Sequence, residues 1–305
     1  MKYSPHDYHP LAGVFSPTAL QSMKCPRYYL LNQIRGIQPI ASNVHLAYGS
    51  AIDAGVSFLY QHRGDYSFSE LKRQAIQEFA IEWTKHGLRG NEKKNLATGM
   101  VIMDAYCTYY KNDTAKYHPD YIQAPVHSEM ADGSLLGGVI DRVWQMEDNV
   151  VCPVDTKTSG WPLTPYWWKQ WQNSFQMTAY YYLCEQILGH IVNIQIDAIK
   201  VPMGKTMEDT FQRRIFDRTP LQIKEFKRTY TAKVAKAKRA AAYEEGGDTK
   251  KAEQEMHCEQ AACSDYGGCK YLDICMHGMN HPTAKLNFET ITRPKEIDDG
   301  EDTNA

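Results

Sequence analysis

Gly138-Val-Ile-Asp141, Asp155-Thr-Lys157 and Gln176-Met-Thr-Ala-Tyr180 follow one another in the middle of the chain, and their reading decides the fold. Residues two apart in an extended strand point to the same face, so Asp155 and Lys157 project together. Ser134–Trp144 and Val150–Lys157 are rich in β-branched and other apolar residues, and Met146–Asn149 has the composition of a turn. Paired as a hairpin, the two strands bring Asp141 close to Asp155. Pro153 cannot donate to a ladder, which suggests a bulge or an edge position there. Asn173–Leu188 reads as a helix, with Gln176 and Tyr180 one turn apart on one face.

Two carboxylates and a lysine on neighbouring strands suit metal-dependent phosphodiester hydrolysis. The carboxylates would hold a divalent cation, which polarises the phosphate and lowers the pKa of a bound water. The lysine can orient that water or offset charge on phosphorus. Each motif alone is common: glycine and aspartate crowd turns, and Asp-x-Lys is a frequent surface pattern. Only the ordered combination is specific.

The series GxxD, DxK and QxxxY, in its strand–strand–helix context, resembles the PD-(D/E)xK nuclease superfamily, and most closely its RecB-type exonuclease domains and CRISPR-associated Cas4 nucleases. The resemblance covers most of residues 16 to 280. It implies an α/β fold, a restriction-endonuclease-like mixed sheet core flanked by helices, with a C-terminal cysteine module. It implies that Asp141 and Asp155 bind Mg²⁺ or Mn²⁺, that Lys157 is catalytic with them, and that Gln176 and Tyr180 line the DNA side of the site. The family's further metal ligand is a histidine in a Gly-x-x-x-His setting. Here Tyr48-Gly-Ser-Ala-Ile-Asp53 puts Asp53 at that position. A carboxylate is a competent oxygen ligand for either metal, so Asp53 is expected to complete the set. His45 and Glu129 are weaker candidates.

Of the eight cysteines, Cys258, Cys263, Cys269 and Cys275 crowd one short segment. The opening residues are polar and show no signal peptide, which points to a cytoplasmic protein, where clustered cysteines favour metal over disulfides. Several of the relatives hold a [4Fe–4S] cluster with one distant N-terminal cysteine. Ser16–Tyr29 looks like that N-terminal motif, so the resemblance implies Cys25, Cys263, Cys269 and Cys275 as ligands, stapling the two chain ends. The spacings of the C-terminal cysteines depart from the usual pattern. Cys258 is an alternative to Cys263, and Zn²⁺ an alternative to the cluster. Cys107 and Cys184 lie in apolar stretches and read as core residues, and Cys152 as packing.

The 305 residues are 43% hydrophobic and 23% charged, an ordinary globular mix. No apolar run approaches the roughly 20 residues of a membrane span, so no membrane association is expected. A net charge of −2 excludes a uniformly basic nucleic-acid binder. The basic residues gather between 221 and 239, in a helix that either follows a phosphate backbone or is merely a solvated face. Trp161, Trp167, Trp168 and Trp171 follow the Asp155–Lys157 strand directly. They would stack unpaired bases or pack a helix on the sheet.

Outward from the centre, residues 41–118 read as helical, with Leu71–Trp83 and Leu96–Tyr110 the clearest amphipathic stretches. Ile191–Val201 and Thr206–Asp217 read as further strands, with Arg213 and Arg214 as phosphate-facing candidates. Residues 1–288 are expected to form one nuclease domain and 289–305 a disordered acidic tail. The chain therefore resembles a metal-dependent DNA exonuclease acting on single strands or ends, of the kind found in recombination, repair and phage DNA metabolism. Two other classes stand beside it: a DNA-binding or assembly module whose nuclease site has decayed, and a zinc-stapled interaction protein.

Overall fold

A computed structural model describes residues 4–41, 43–145, 150–189, 191 and 193–297. The elements run β1 (Val14–Phe15), α1 (Pro17–Gln21), α2 (Pro26–Tyr29), β2 (Ile37–Pro39), α3 (Val44–Gln61), α4 (Phe68–Lys85), α5 (Leu96–Tyr109), β3 (Lys116–Glu129), β4 (Leu135–Gln145) and β5 (Val151–Ser159). There follow α6 (Pro165–Gln172), α7 (Phe175–Leu188), β6 (Ile194–Lys200), α8 (Met207–Thr210), β7 (Phe211–Phe216), α9 (Pro220–Glu245), α10 (Thr249–Glu255), α11 (Leu272–His277), α12 (Pro282–Asn287) and β8 (Phe288–Thr290). The chain forms two compact units. One holds residues 1–41, 125–139 and 220–305, the other residues 42–124 and 140–219. Strands β3 and β4 each contribute residues to both.

In the second unit, β5 is a central strand. It pairs antiparallel with β4, Arg142 opposite Val154, and parallel with β6, Asp155 opposite Ile196, while β7 closes the far side antiparallel to β6. The resulting mixed sheet flanked by helices is the α/β architecture expected. Its run Val151–Asp155 is buried without alternation, as a strand covered on both faces requires. Pro153 therefore does not occupy an edge. It stands opposite Val143, between the Val151–Ile191 bridge and the β6 ladder that begins at Val154. The turn expected at 146–149 lies outside the described residues.

Helices α3, α4 and α5 start at side-chain caps, Asn43, Ser67 and Asn95, the last in a reciprocal capping box with Thr98. Their apolar faces enclose Tyr48, Ile52, Val56, Phe79, Trp83 and Met103, which pack on Ile199 and Phe211 of the sheet. Close approach is made possible by Gly99: a Cβ there would stand 1.8 Å from Cζ of Phe79. The strand expected over 206–217 is shorter, because Thr206 caps the helical turn Met207–Thr210 before β7 begins.

In the first unit, β1 lies parallel to the start of β4, Val14 opposite Leu135, and the long α9 buries Phe226, Tyr230, Val234 and Ala237. The stretch expected to open a disordered tail instead pairs: Glu289 lies opposite Gln38, and Arg293 donates to the carbonyls of Asn32 and His6. Residues 298–305 lie outside the described residues. On α9, Lys233 donates to the Leu20 carbonyl at 2.7 Å, Lys238 covers the Phe15 ring and Arg239 pairs with Glu255 at 2.8 Å. These three of the basic residues between 221 and 239 serve their own unit rather than an open cationic face.

Candidate active site

The β4–β5 ladder runs from Gln145–Val151 to Arg142–Val154 and stops there. Immediately beyond, the backbone N–H of Thr156 donates to the Asp141 carboxylate at 2.7 Å. A side chain thus takes over where strand pairing ends, and the carboxylates of Asp141 and Asp155 come within electrostatic reach of each other. On the same face of β5, Lys157 Nζ lies 2.7 Å from Asp155 Oδ2. The Lys157 ammonium is the partner of this otherwise donor-free buried oxygen. Burial raises the Asp155 carboxyl pKa, the Lys157 ammonium opposes the rise, and Asp141 adds to it. Burial works against the Lys157 ammonium in turn, but Asp155 and Asp141 outweigh it and leave its pKa raised.

Helix α7 carries the QxxxY pair. Gln176 Nε2 donates to the Tyr180 hydroxyl at 3.2 Å, and Ser174 caps the helix start. Burial first, then the Asp155 carboxylate, pushes the Tyr180 phenol up, which keeps it protonated at neutral pH. Tyr180 thus shares one electrostatic environment with Asp155, Lys157 and Asp141.

Asp53 joins the group from α3. Burial first, and Asp141 next, raise its pKa, while Arg142 lowers it. Both its oxygens are engaged: Arg142 Nη1 is 3.5 Å from Oδ1, and Gln123 Nε2 donates to Oδ2. His45 and Glu129, the weaker candidates, are exposed. Among the described residues no three His, Cys, Asp or Glu side chains converge closely enough to hold a metal ion. The donor set nonetheless fits a hard divalent cation. It offers three carboxylates within mutual electrostatic reach, one of them with a buried oxygen held only by the Lys157 ammonium.

Arg142 and Gln123 were not anticipated. Arg142 is wholly buried and donates to Thr156 Oγ1 at 2.9 Å, with Asp197 Oδ2 at 3.6 Å. Asp197 in turn lies 3.3 Å from Arg213 Nε and accepts the Tyr106 hydroxyl at 2.5 Å, while Arg213 Nη1 pairs with Asp113. Charges thus alternate along a row, Asp53, Arg142, Asp197, Arg213, Asp113. Arg213, a phosphate-facing candidate from sequence, is committed to this row, and Arg214 on the opposite face lies over the Trp168 ring. Gln123 sits in β3 at φ +52°, in the left-handed region a non-glycine residue seldom adopts. The sequence signal for Arg142 was an arginine inside an apolar strand, a position that demands a buried partner. Gln123 carried no such signal.

Cys25, Cys258, Cys263, Cys269 and Cys275 lie in the first unit, all as free thiols. The backbone N–H of Glu259 points at the Cys25 sulfur at 3.5 Å. Burial, then Cys25, Cys275 and Cys263, push the Cys258 thiol up to about 12, and burial with neighbouring thiols also raises Cys269 and Cys275. Five sulfurs therefore sense one another, Cys258 among them. The chain ends are also tied without metal. Arg27 donates to the carbonyls of Met256 and Glu253, Arg35 pairs with Glu244 at 2.6 Å, and the Tyr271 hydroxyl reaches the Ile37 carbonyl at 2.6 Å. Cys107, Cys152 and Cys184 are buried, as expected of packing residues.

A family model of the PD-(D/E)XK nuclease superfamily matches residues 14–276. The chain belongs to this superfamily. Comparison with curated proteins returns no match. Among solved structures, the nuclease chain is similar to a Eubacterium rectale protein named as an unproven exonuclease, with 11% identity, a TM-score of 0.45, and 92% of this chain and 89% of that one covered. It is also similar to an alkaline exonuclease from Laribacter hongkongensis, with 11% identity, a TM-score of 0.33, and 67% of this chain and 97% of that one covered. Likenesses this distant do not bear on function. No helix among the described residues is long and apolar enough to cross a membrane.

Proposed function

We propose that this superfamily member hydrolyses DNA phosphodiester bonds with Mg²⁺ or Mn²⁺, as an exonuclease of the RecB-like branch acting on single strands or ends. The observation that carries the reading is the parting of β4 and β5 at Asp141, beside the buried Asp155 carboxylate and its Lys157 partner. Asp141, Asp155 and Asp53 would hold the metal. When bound, the metal supplies Lewis-acid polarisation of the phosphate and a water of lowered pKa. Lys157, kept cationic by its carboxylate neighbours, orients the attacking water or offsets charge on phosphorus. Gln176 and the protonated Tyr180 offer hydrogen bonds to the strand being cut.

The gathered thiols support a metal staple of the first unit, a [4Fe–4S] cluster on Cys25, Cys263, Cys269 and Cys275. Cys258 stands as alternative fourth ligand and Zn²⁺ as alternative metal. Cytoplasmic work on DNA fits reduced thiols. A second reading, a DNA-binding module that no longer cleaves, is favoured by one observation: Arg142 and Gln123 already engage both Asp53 oxygens. Incubating end-labelled single-stranded and duplex DNA with Mg²⁺, Mn²⁺ or EDTA separates the two. Metal-dependent product ladders support the nuclease, and binding without cleavage supports the module.

A further inference from the structure

Four tryptophans follow the strand that bears Asp155 and Lys157, and three are already used in packing. Trp168 is buried against Phe216 and donates to Gln212, and Trp167 sets its ring edge-on to both Trp168 and Trp171. Trp171 also lies under the Lys157 ammonium, 5.8 Å from Nζ. Trp161 is different, being 74% exposed, and Tyr166 close by in sequence is 85% exposed.

Both aromatics are carried on fixed backbone. The buried Ser159 hydroxyl donates to the Trp161 carbonyl at 2.9 Å and accepts its N–H at 3.1 Å, while the Ser159 carbonyl accepts from Val201 N. Tyr166 stands in the first turn of α6, which Thr164 caps and Pro165 begins. Large rings presented to water on a preorganised backbone add nothing to the core and leave their faces open to a ligand. The segment between them in sequence, Pro162, Leu163 and Thr164, lines a cavity of about 320 Å³ together with Lys200, Lys205 and Asp209, on balance cationic. Trp161 is four residues beyond Lys157, no more than about 14 Å along an extended chain.

We propose that Trp161 and Tyr166 are a stacking platform for unpaired bases of the strand that reaches Asp141, Asp155 and Lys157, with Lys200 and Lys205 following its phosphates. The proposal rests on the nuclease reading and names its substrate as a single strand. Ring faces accept any base, so the platform selects unpaired over duplex DNA without reading sequence. A polar peptide would have no use for two open rings, and a duplex would offer them no free base face except at its ends.

The test is binding of a fluorescein-labelled oligo(dT) strand to the full chain in EDTA, by anisotropy and by quenching of tryptophan emission. Stacking one base is worth roughly 5- to 150-fold in affinity. The W161A/Y166A pair is expected to lose about 10-fold or more, W161F/Y166F to stay near the parent, and W161F alone to lose most of the quench. Equal affinity of the parent and the alanine pair would overturn the platform while leaving the nuclease reading intact, as would equal losses in the alanine and phenylalanine pairs. A parent that neither binds the strand nor cleaves it with Mn²⁺ would overturn both.

Discussion

Arg142 points its guanidinium at Asp53, Nη1 to Oδ1 at 3.5 Å, from a side chain with no exposure to solvent. A carboxylate thus stands at the position where a histidine is expected, with a buried cation beside it. Arg142 also meets the buried Asp197, so its removal would take one cation from between two acids, leaving Asp197 to Arg213 and Asp53 to Gln123. Breaking one side of a buried ion pair typically costs about 3–5 kcal/mol. Arg142→Met should therefore lower unfolding stability by roughly that amount, measured by urea titration. Arg142→Lys, which keeps charge but loses the planar fork, should fall between.

Asp53→Asn removes a charge from the proposed metal set while keeping the hydrogen bond from Gln123 available in shape. We expect weaker Mn²⁺ binding by calorimetry, about 10-fold or more, with the fold retained. Unchanged affinity would remove Asp53 from the ligand set.

Gly99→Ala tests the helical packing. Its Cβ would enter the Phe79 ring, and overpacking of this kind costs about 1–3 kcal/mol. The thermal midpoint should fall accordingly, and an unchanged midpoint would contradict the close approach of α5 to α4.

These predictions divide by how visible their residues were. The strand pair and the QxxxY helix were legible because period-2 and helical patterns fix which side chains share a face, whereas Asp53 was singled out by the family resemblance alone. The centrality of β5 was not legible. Pro153 argued for an edge, yet it stands between the Val151–Ile191 bridge and the start of the β6 ladder. Arg213 looked like a phosphate ligand because nothing local announces Asp197 and Asp113, its partners from β6 and from the loop after α5. Glu289 and Thr290 seemed to open a disordered tail, since a two- or three-residue strand with a distant partner has no local signature.

The first unit carries a pH response. Burial foremost, and then the Lys295 ammonium, hold the His9 imidazole below its usual range, with Arg293 acting the same way and Glu245 opposing. An unfolded histidine takes up its proton near pH 6.5, whereas folded His9 resists until lower pH. The unfolded state therefore binds more protons in that window, and stability falls as pH drops below about 6.5. His9→Gln should lose less stability between pH 6.5 and 5 than the parent does, by denaturant titration at each pH. Parallel losses would show that His9 is not the group responsible.

Protein purified without oxygen should contain iron and acid-labile sulfide, and Cys25→Ser should lose both while the Cys107→Ser control keeps them. Colourless protein holding zinc would replace the cluster by a zinc staple.

The central claim is tested most directly by single-turnover cleavage of end-labelled single-stranded DNA, comparing the parent with Lys157→Ala in Mn²⁺ and in EDTA. The account predicts cleavage by the parent in Mn²⁺ only, and a loss of about 100-fold or more in the variant with DNA binding retained. Equal cleavage by both proteins, or cleavage that survives EDTA, would contradict it.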